Sequence, residues 1–116
     1  MTELSIIGLM SGTSADGIDA AVLITDGVQV TRTASCGHFA YRQDTREAIR
    51  ACCADPAVFL ADATARTNLD TAIAVDHAAA VEALCRQFGG RVDLIGFHGQ
   101  TVYHNARANA VHPLGR

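Results

Sequence analysis

The chain has 116 residues, 49% hydrophobic and 18% charged with only two prolines, a composition that fits one compact domain or less and excludes disorder. Its net charge of −3 leaves no basic footprint for nucleic acid or for an anionic membrane. No apolar run reaches membrane-spanning length and no signal-type segment opens the chain, so a cytoplasmic protein is expected.

A first strand is expected over residues 4–10, a second over 18–25, and a third over 28–35 after the Asp26-Gly27 turn, together an antiparallel meander. Asp44-Thr45-Arg46-Glu47 opens a helix that runs to Ala54, with Ala48, Ile49, Cys52 and Cys53 on one side. Asp55 before Pro56 reads as the N-cap and first position of a second helix, because a proline there loses nothing by lacking an N–H. From Pro56 to Phe88 the chain is alanine-rich and helical, with a break expected near Asn68. Val81, Leu84, Cys85 and Phe88 recur at helical spacing and should face the sheet. Gly89-Gly90 ends the helix, and residues 92–97 read as a short buried strand. Cys36, Cys52, Cys53 and Cys85 lack the spacing of a disulfide framework or a zinc site and are expected as buried reduced thiols.

Between the first two strands lies a turn of unusual content: Gly12, Thr13, Ser14, Ala15, Asp16, Gly17, Ile18 and Asp19. Gly12 and Gly17 permit backbone angles that let successive amides point into one concavity, which suits a phosphate. Ser11, Thr13 and Ser14 add hydroxyl donors, and Asp16 and Asp19 could hold Mg²⁺ or its water shell beside a nucleotide. The loop has no lysine, which separates it from a Walker A loop, and it lacks the spacing of a dinucleotide turn or a nucleophile elbow. The same residue types also build ordinary polar hairpin turns.

A second constellation follows the last expected strand, where sheet-based folds commonly bind ligands. Gly99 lets a backbone approach a ligand closely, while His98, Gln100 and Thr101 supply donors and acceptors suited to sugar hydroxyls and an N-acetyl group. The alternative is a core histidine at His98 and a turn residue at Gln100. His38 and His77 read as structural or surface residues, and His98 with His104 lacks the partners of a metal site.

The order Gly8-Leu9-Met10-Ser11-Gly12-Thr13-Ser14-Ala15-Asp16-Gly17-Ile18-Asp19 resembles the N-terminal signature of the anhydro-N-acetylmuramic acid kinases. Ile95-Gly96-Phe97-His98-Gly99-Gln100-Thr101-Val102-Tyr103-His104 is similar to the same family's His-Gly-Gln-Thr-x-x-His segment. The resemblance runs from Ile6 to His104, strongest at its two ends. It implies an α/β fold: the N-terminal part of an actin-like sugar kinase lobe, an antiparallel meander followed by helices and a returning strand. Residues 1–104 would form that partial lobe and residues 105–116 a divergent, irregular tail.

The resemblance further implies that residues 12–19 bind ATP, and that His98, Gly99, Gln100 and Thr101 bind the sugar, with ATP and Mg²⁺ as cofactors and a small-molecule sugar as partner. The reaction would be hydrolytic opening of the 1,6-anhydro ring with phosphorylation to N-acetylmuramic acid 6-phosphate, in peptidoglycan recycling. The family's general-base aspartate would lie beyond residue 116, so no catalytic residue is assigned here and the chain by itself is expected to be a truncated, inactive fragment. The rival reading is a non-catalytic nucleotide- or sugar-binding module, which would keep the hairpin loop but has no evident need of His-Gly-Gln-Thr.

Overall fold

The computed structural model describes residues 2–12, 15–97, 99–105 and 110–114, with the backbone alone for 101–105 and 110–114. Strand β1 (Leu4–Met10) and strand β2 (Gly17–Thr25) are mainly apolar, and because successive side chains of a strand point to opposite faces, Ile7, Leu9, Ile18, Ala20 and Val22 share one buried face. They pair antiparallel from Leu4 opposite Thr25 to Met10 opposite Asp19. The expected meander is completed by β3 (Val30–Ala40), antiparallel to β2.

β3 begins later and ends later than residues 28–35, for two local reasons. The Asp26 carboxylate accepts the backbone N–H groups of Val28 and Gln29 at 2.9 and 2.8 Å, which keeps those residues in the turn and holds the carboxyl below its ordinary value. At the far end Cys36 to Ala40 find partners on β2, from Ala21 to Gly17, so the strand continues as far as β2 does.

Helix α1 (Gln43–Ala54) turns Thr45, Ile49 and Cys52 inward. Cys53 and Cys36 are exposed, contrary to the expectation of buried thiols, because each occupies the outward position of its element; Cys52 is buried and Cys85 half-buried. Helix α2 (Pro56–Ala61) starts at the expected Asp55 cap. The helix break falls at Asp62, not near Asn68: Asp62 leaves the helical region and its carboxylate accepts the Ala65 N–H at 3.1 Å, starting helix α3 (Ala63–Phe88). Asn68 only weakens helical propensity, whereas Asp62 supplies a cap. Gly89, left-handed at φ 71°, closes α3 as expected.

The chain then returns as β4 (Leu94–Gly96), parallel to β1, giving a sheet of order β3-β2-β1-β4. Asp93 fixes this register: its carboxylate accepts the Ser5 N–H at 2.9 Å and its own N–H donates to the Ser5 carbonyl at 2.8 Å. β4 is shorter than residues 92–97 and exposed where burial was expected, since among the described residues it forms the sheet edge, paired with β1. Ile49, Cys52, Leu69, Ile73, Ala80 and Leu84 of the helices pack on the buried sheet face, with Val81, Cys85 and Phe88 against the same core as anticipated. Beyond β4, β5 (Gln100–Asn105) and β6 (Ala110–Leu114) form an antiparallel hairpin, so a strand stands within the tail that was expected to be irregular.

Candidate functional site

β1 and β4 are parallel neighbours, so the loop after Met10 and the segment after Gly96 leave the sheet at the same edge. That topology joins the two sequence signatures although 88 residues separate them. The Ser11 hydroxyl donates to the Gly99 carbonyl at 2.7 Å, and the Gln100 side-chain N–H donates to the Gly12 carbonyl at 2.7 Å. Ser11 is buried, so its hydroxyl serves this junction instead of the phosphate-donor role expected of it. Gln100 is wholly buried, its amide turned toward the loop. Thr13, Ser14 and His98 lie outside the described residues, as does the side chain of Thr101.

The loop's backbone strain sits at a different residue from the one the glycines suggested. Ala15, buried, has φ 57°, while the positive-φ glycines among the described residues are Gly27, Gly89 and Gly99. A left-handed alanine costs about 1–2 kcal/mol and persists only where surroundings hold it. Its N–H donates to the Gly12 carbonyl at 3.3 Å. Gly17 is required for space: a Cβ there would stand 2.6 Å from the Phe39 carbonyl oxygen and 2.7 Å from His38 Nε2.

His38 on β3 stands opposite Asp19 on β2, and the two side chains bond at 2.8 Å on the exposed side of the sheet. The hydrogen bond to Asp19 raises the His38 pKa above its ordinary 6.5, slight desolvation opposes this, and the charges of Asp19 and Asp16 add to it. A raised histidine pKa contributes stability in full below about pH 6.5, lost as pH rises through the shifted value. Asp19→Asn is expected to return the NMR titration midpoint of His38 toward about 6.5. A midpoint identical in wild type and variant would show the pair absent in solution.

Two residues that sequence reading passed over, Tyr41 and Asp76, brace the site from below together with His77, which it read as structural or surface. Tyr41, at the end of β3, donates its hydroxyl to Gln100 Oε1 at 2.8 Å. Burial raises its phenol pKa, the Ser11 hydroxyl opposes, and the Asp76 carboxylate adds a smaller upward push, so the hydroxyl stays a donor through the ordinary pH range. Asp76 on α3, almost fully buried, accepts from both the backbone N–H of Arg42, at 3.1 Å, and its guanidinium. His77 is buried as a structural residue, bonded to the Ile73 carbonyl at 2.8 Å and edge-on to Phe97 with ring centroids 4.7 Å apart. The available signal was the placement of Asp76 and His77 on the core stripe of Ile73, Ala80 and Leu84. Asp76→Ala should lower stability by about 1.5–3 kcal/mol, read as a drop in urea midpoint, because it leaves the Arg42 N–H without its acceptor. An unchanged midpoint would show the contact energetically idle.

Among the described residues no cluster of three metal-ligating side chains occurs. Asp16 and Asp19 are both exposed beside the loop, a donor set that fits an ion held mainly by phosphate oxygens and water. No described helix is long and apolar enough to cross a membrane.

A meander closed by a parallel return strand, helices on one face, and a strand-to-strand loop joined to the following edge segment define the N-terminal part of an actin-like sugar kinase fold. Residues 4–114 match the model of the anhydro-N-acetylmuramic acid kinase family, and the chain belongs to that family. It is 37% identical to the anhydro-N-acetylmuramic acid kinase of Rhodopseudomonas palustris strain HaA2, over 97% of this chain and 32% of that protein. It is 43% identical to the one of Synechococcus elongatus over 87% of the chain and 26% of that protein, and 44% identical to the one of Acidiphilium cryptum over 85% and 26%. The chain therefore spans about a third or less of the length of these curated relatives. The family match continues past His104 to residue 114, so the resemblance is longer than the two signatures indicated.

Proposed function

We propose that the chain supplies the nucleotide loop and the sugar-side segment of an ATP-dependent kinase acting on 1,6-anhydro-N-acetylmuramic acid in the cytoplasm, within cell-wall recycling. The observation that carries this reading is the junction of the two signatures: Gln100 bonded to Gly12 and Ser11 to Gly99. A phosphoryl donor and its acceptor must lie in one cleft, and the meeting of the two signature segments at one sheet edge supports this reading.

In this reading residues 12–19 cradle the ATP phosphates through backbone donors, and residues 98–101 face the sugar. Water attacks the anomeric carbon as the bond from that carbon to O6 breaks, and O6 takes the γ-phosphoryl group while ADP leaves. The water proton passes to a base that the family carries downstream of residue 116. Mg²⁺ would neutralise charge building on the transferring phosphoryl group. Asp16 and Asp19 would orient its water shell, Asp19 itself fixed by His38.

Catalysis needs groups from both lobes, so the 116-residue chain assayed alone is expected to bind nucleotide weakly and to show no turnover. Exposed Met10, Leu94, Ile95 and Phe97 support this, as does an apolar groove of about 740 Å³ along the sheet lined by Gly8, Met10, Ala21, Leu23, Gly96 and Phe97. The test is to incubate the purified chain with ATP, Mg²⁺ and the anhydro sugar and measure sugar 6-phosphate and ADP. Turnover at the rate of a curated relative would overturn the two-lobe requirement and place a base inside this sequence, with Asp16 the first to substitute.

A further inference from the structure

We propose, resting on the nucleotide assignment above, that Tyr41 and Gln100 are positioning residues that clamp the phosphate loop at both of its ends. The Tyr41 backbone N–H donates to the Asp16 carbonyl at 3.2 Å. Its hydroxyl donates to Gln100 Oε1 at 2.8 Å, and Gln100 Nε2 donates to the Gly12 carbonyl at 2.7 Å. The run is closed: from Asp16 through Tyr41 and Gln100 back to Gly12. The left-handed Ala15 stands between two held carbonyls, those of Gly12 and Asp16.

The side-chain chemistry suits this task closely. A primary amide accepts on its oxygen while donating from its nitrogen, so Gln100 passes the Tyr41 hydrogen bond on to the loop, which neither leucine nor an ionised glutamate could do. Tyr41 is 4% exposed and Gln100 0% exposed, so both bonds form away from water, where leaving either group unpaired is costly. The strain at Ala15 needs surroundings that over-determine it, and the clamp is what the described structure provides. Because Gln100 follows Gly99 directly, a ligand that shifts the sugar-side segment must also move the donor that holds Gly12.

Amide hydrogen exchange on the 116-residue chain tests this with Tyr41→Phe, Gln100→Leu and the double variant. Each single change is expected to speed exchange at Ala15, Asp16 and Gly17 about five- to tenfold, one hydrogen bond's worth, with the α3 amides unaltered. The double variant should add little to either single change, since both break the same run. Loop exchange unchanged in both single variants would overturn the clamp, and so would acceleration spread equally through α3, which marks general bracing of the fold. A parallel arm adds ATP and Mg²⁺ to the wild-type chain at millimolar concentration, where protection is expected at residues 12–19. Its absence beside an accelerated loop in the variants would reject the nucleotide reading while leaving the mechanical clamp intact, so the two failures are separable.

Discussion

Gly17→Val in the longer protein is expected to abolish measurable nucleotide use and to destabilise the fold by about 1–3 kcal/mol, the range for forcing volume into a closed site. The reason is contact with backbone. A Cβ at this position would stand 2.6 Å from the Phe39 carbonyl oxygen, and β3 cannot retreat without giving up the pairing of Gly17 with Ala40 and Ile18 with Phe39. The second collision, with the His38 ring, would also displace the partner of Asp19. Gly17→Ala meets the same carbonyl and should give an intermediate loss. Steady-state kinetics with varied ATP, set beside thermal unfolding of the same samples, reads both effects. Unchanged ATP kinetics in Gly17→Val would mean that the nucleotide loop is wrongly placed.

Ile73→Ala should produce the largest loss of stability, about 2–5 kcal/mol, the cost of truncating a wholly buried isoleucine. Domains of this size hold only about 5–15 kcal/mol in all, so the variant would be partly unfolded at moderate urea. Function should fall with it, since α3 carries Asp76 and His77 one turn further on, and they grip Arg42 and pack against Phe97 beneath the site. Urea denaturation followed by far-UV circular dichroism reads the loss. A midpoint within error of wild type would show that α3 does not close the core.

Local chemistry made much of this fold legible. Apolar runs placed β1 and β2 within a residue, Asp55-Pro56 marked the start of α2, and Gly89 marked the end of α3, because each signal acts over a few residues. The misread points depended on non-local partners or on competing signals. β3 runs to Ala40 because β2 extends that far, and β4 is exposed because of its place at the sheet edge. The Asp62 cap lay unread inside an alanine-rich run that pointed to Asn68.

The site divided in the same way. Its two signatures stood out as words, and the parallel pairing of β1 with β4 that joins them is a property of topology. Tyr41 carried no local mark, since its role depends on a glutamine 59 residues away. Ser11 and Gln100 are polar residues in motifs, which suggested contact with ligand; both are buried and hydrogen-bond to the Gly99 and Gly12 carbonyls, a non-local pairing that no motif displays. The role of glycine divided too: Gly17 is there for space, and the left-handed angle expected of a loop glycine is borne by Ala15.

The most direct measurement replaces the corresponding N-terminal segment of the Rhodopseudomonas palustris relative with residues 4–114 of this chain and assays the chimera with ATP, Mg²⁺ and 1,6-anhydro-N-acetylmuramic acid. Sugar 6-phosphate and ADP are expected in equal amounts, and both should disappear when the chimera carries Gly17→Val. A chimera with cooperative unfolding and native secondary structure that yields neither product would contradict the assignment of this chain as the nucleotide- and sugar-facing part of such a kinase.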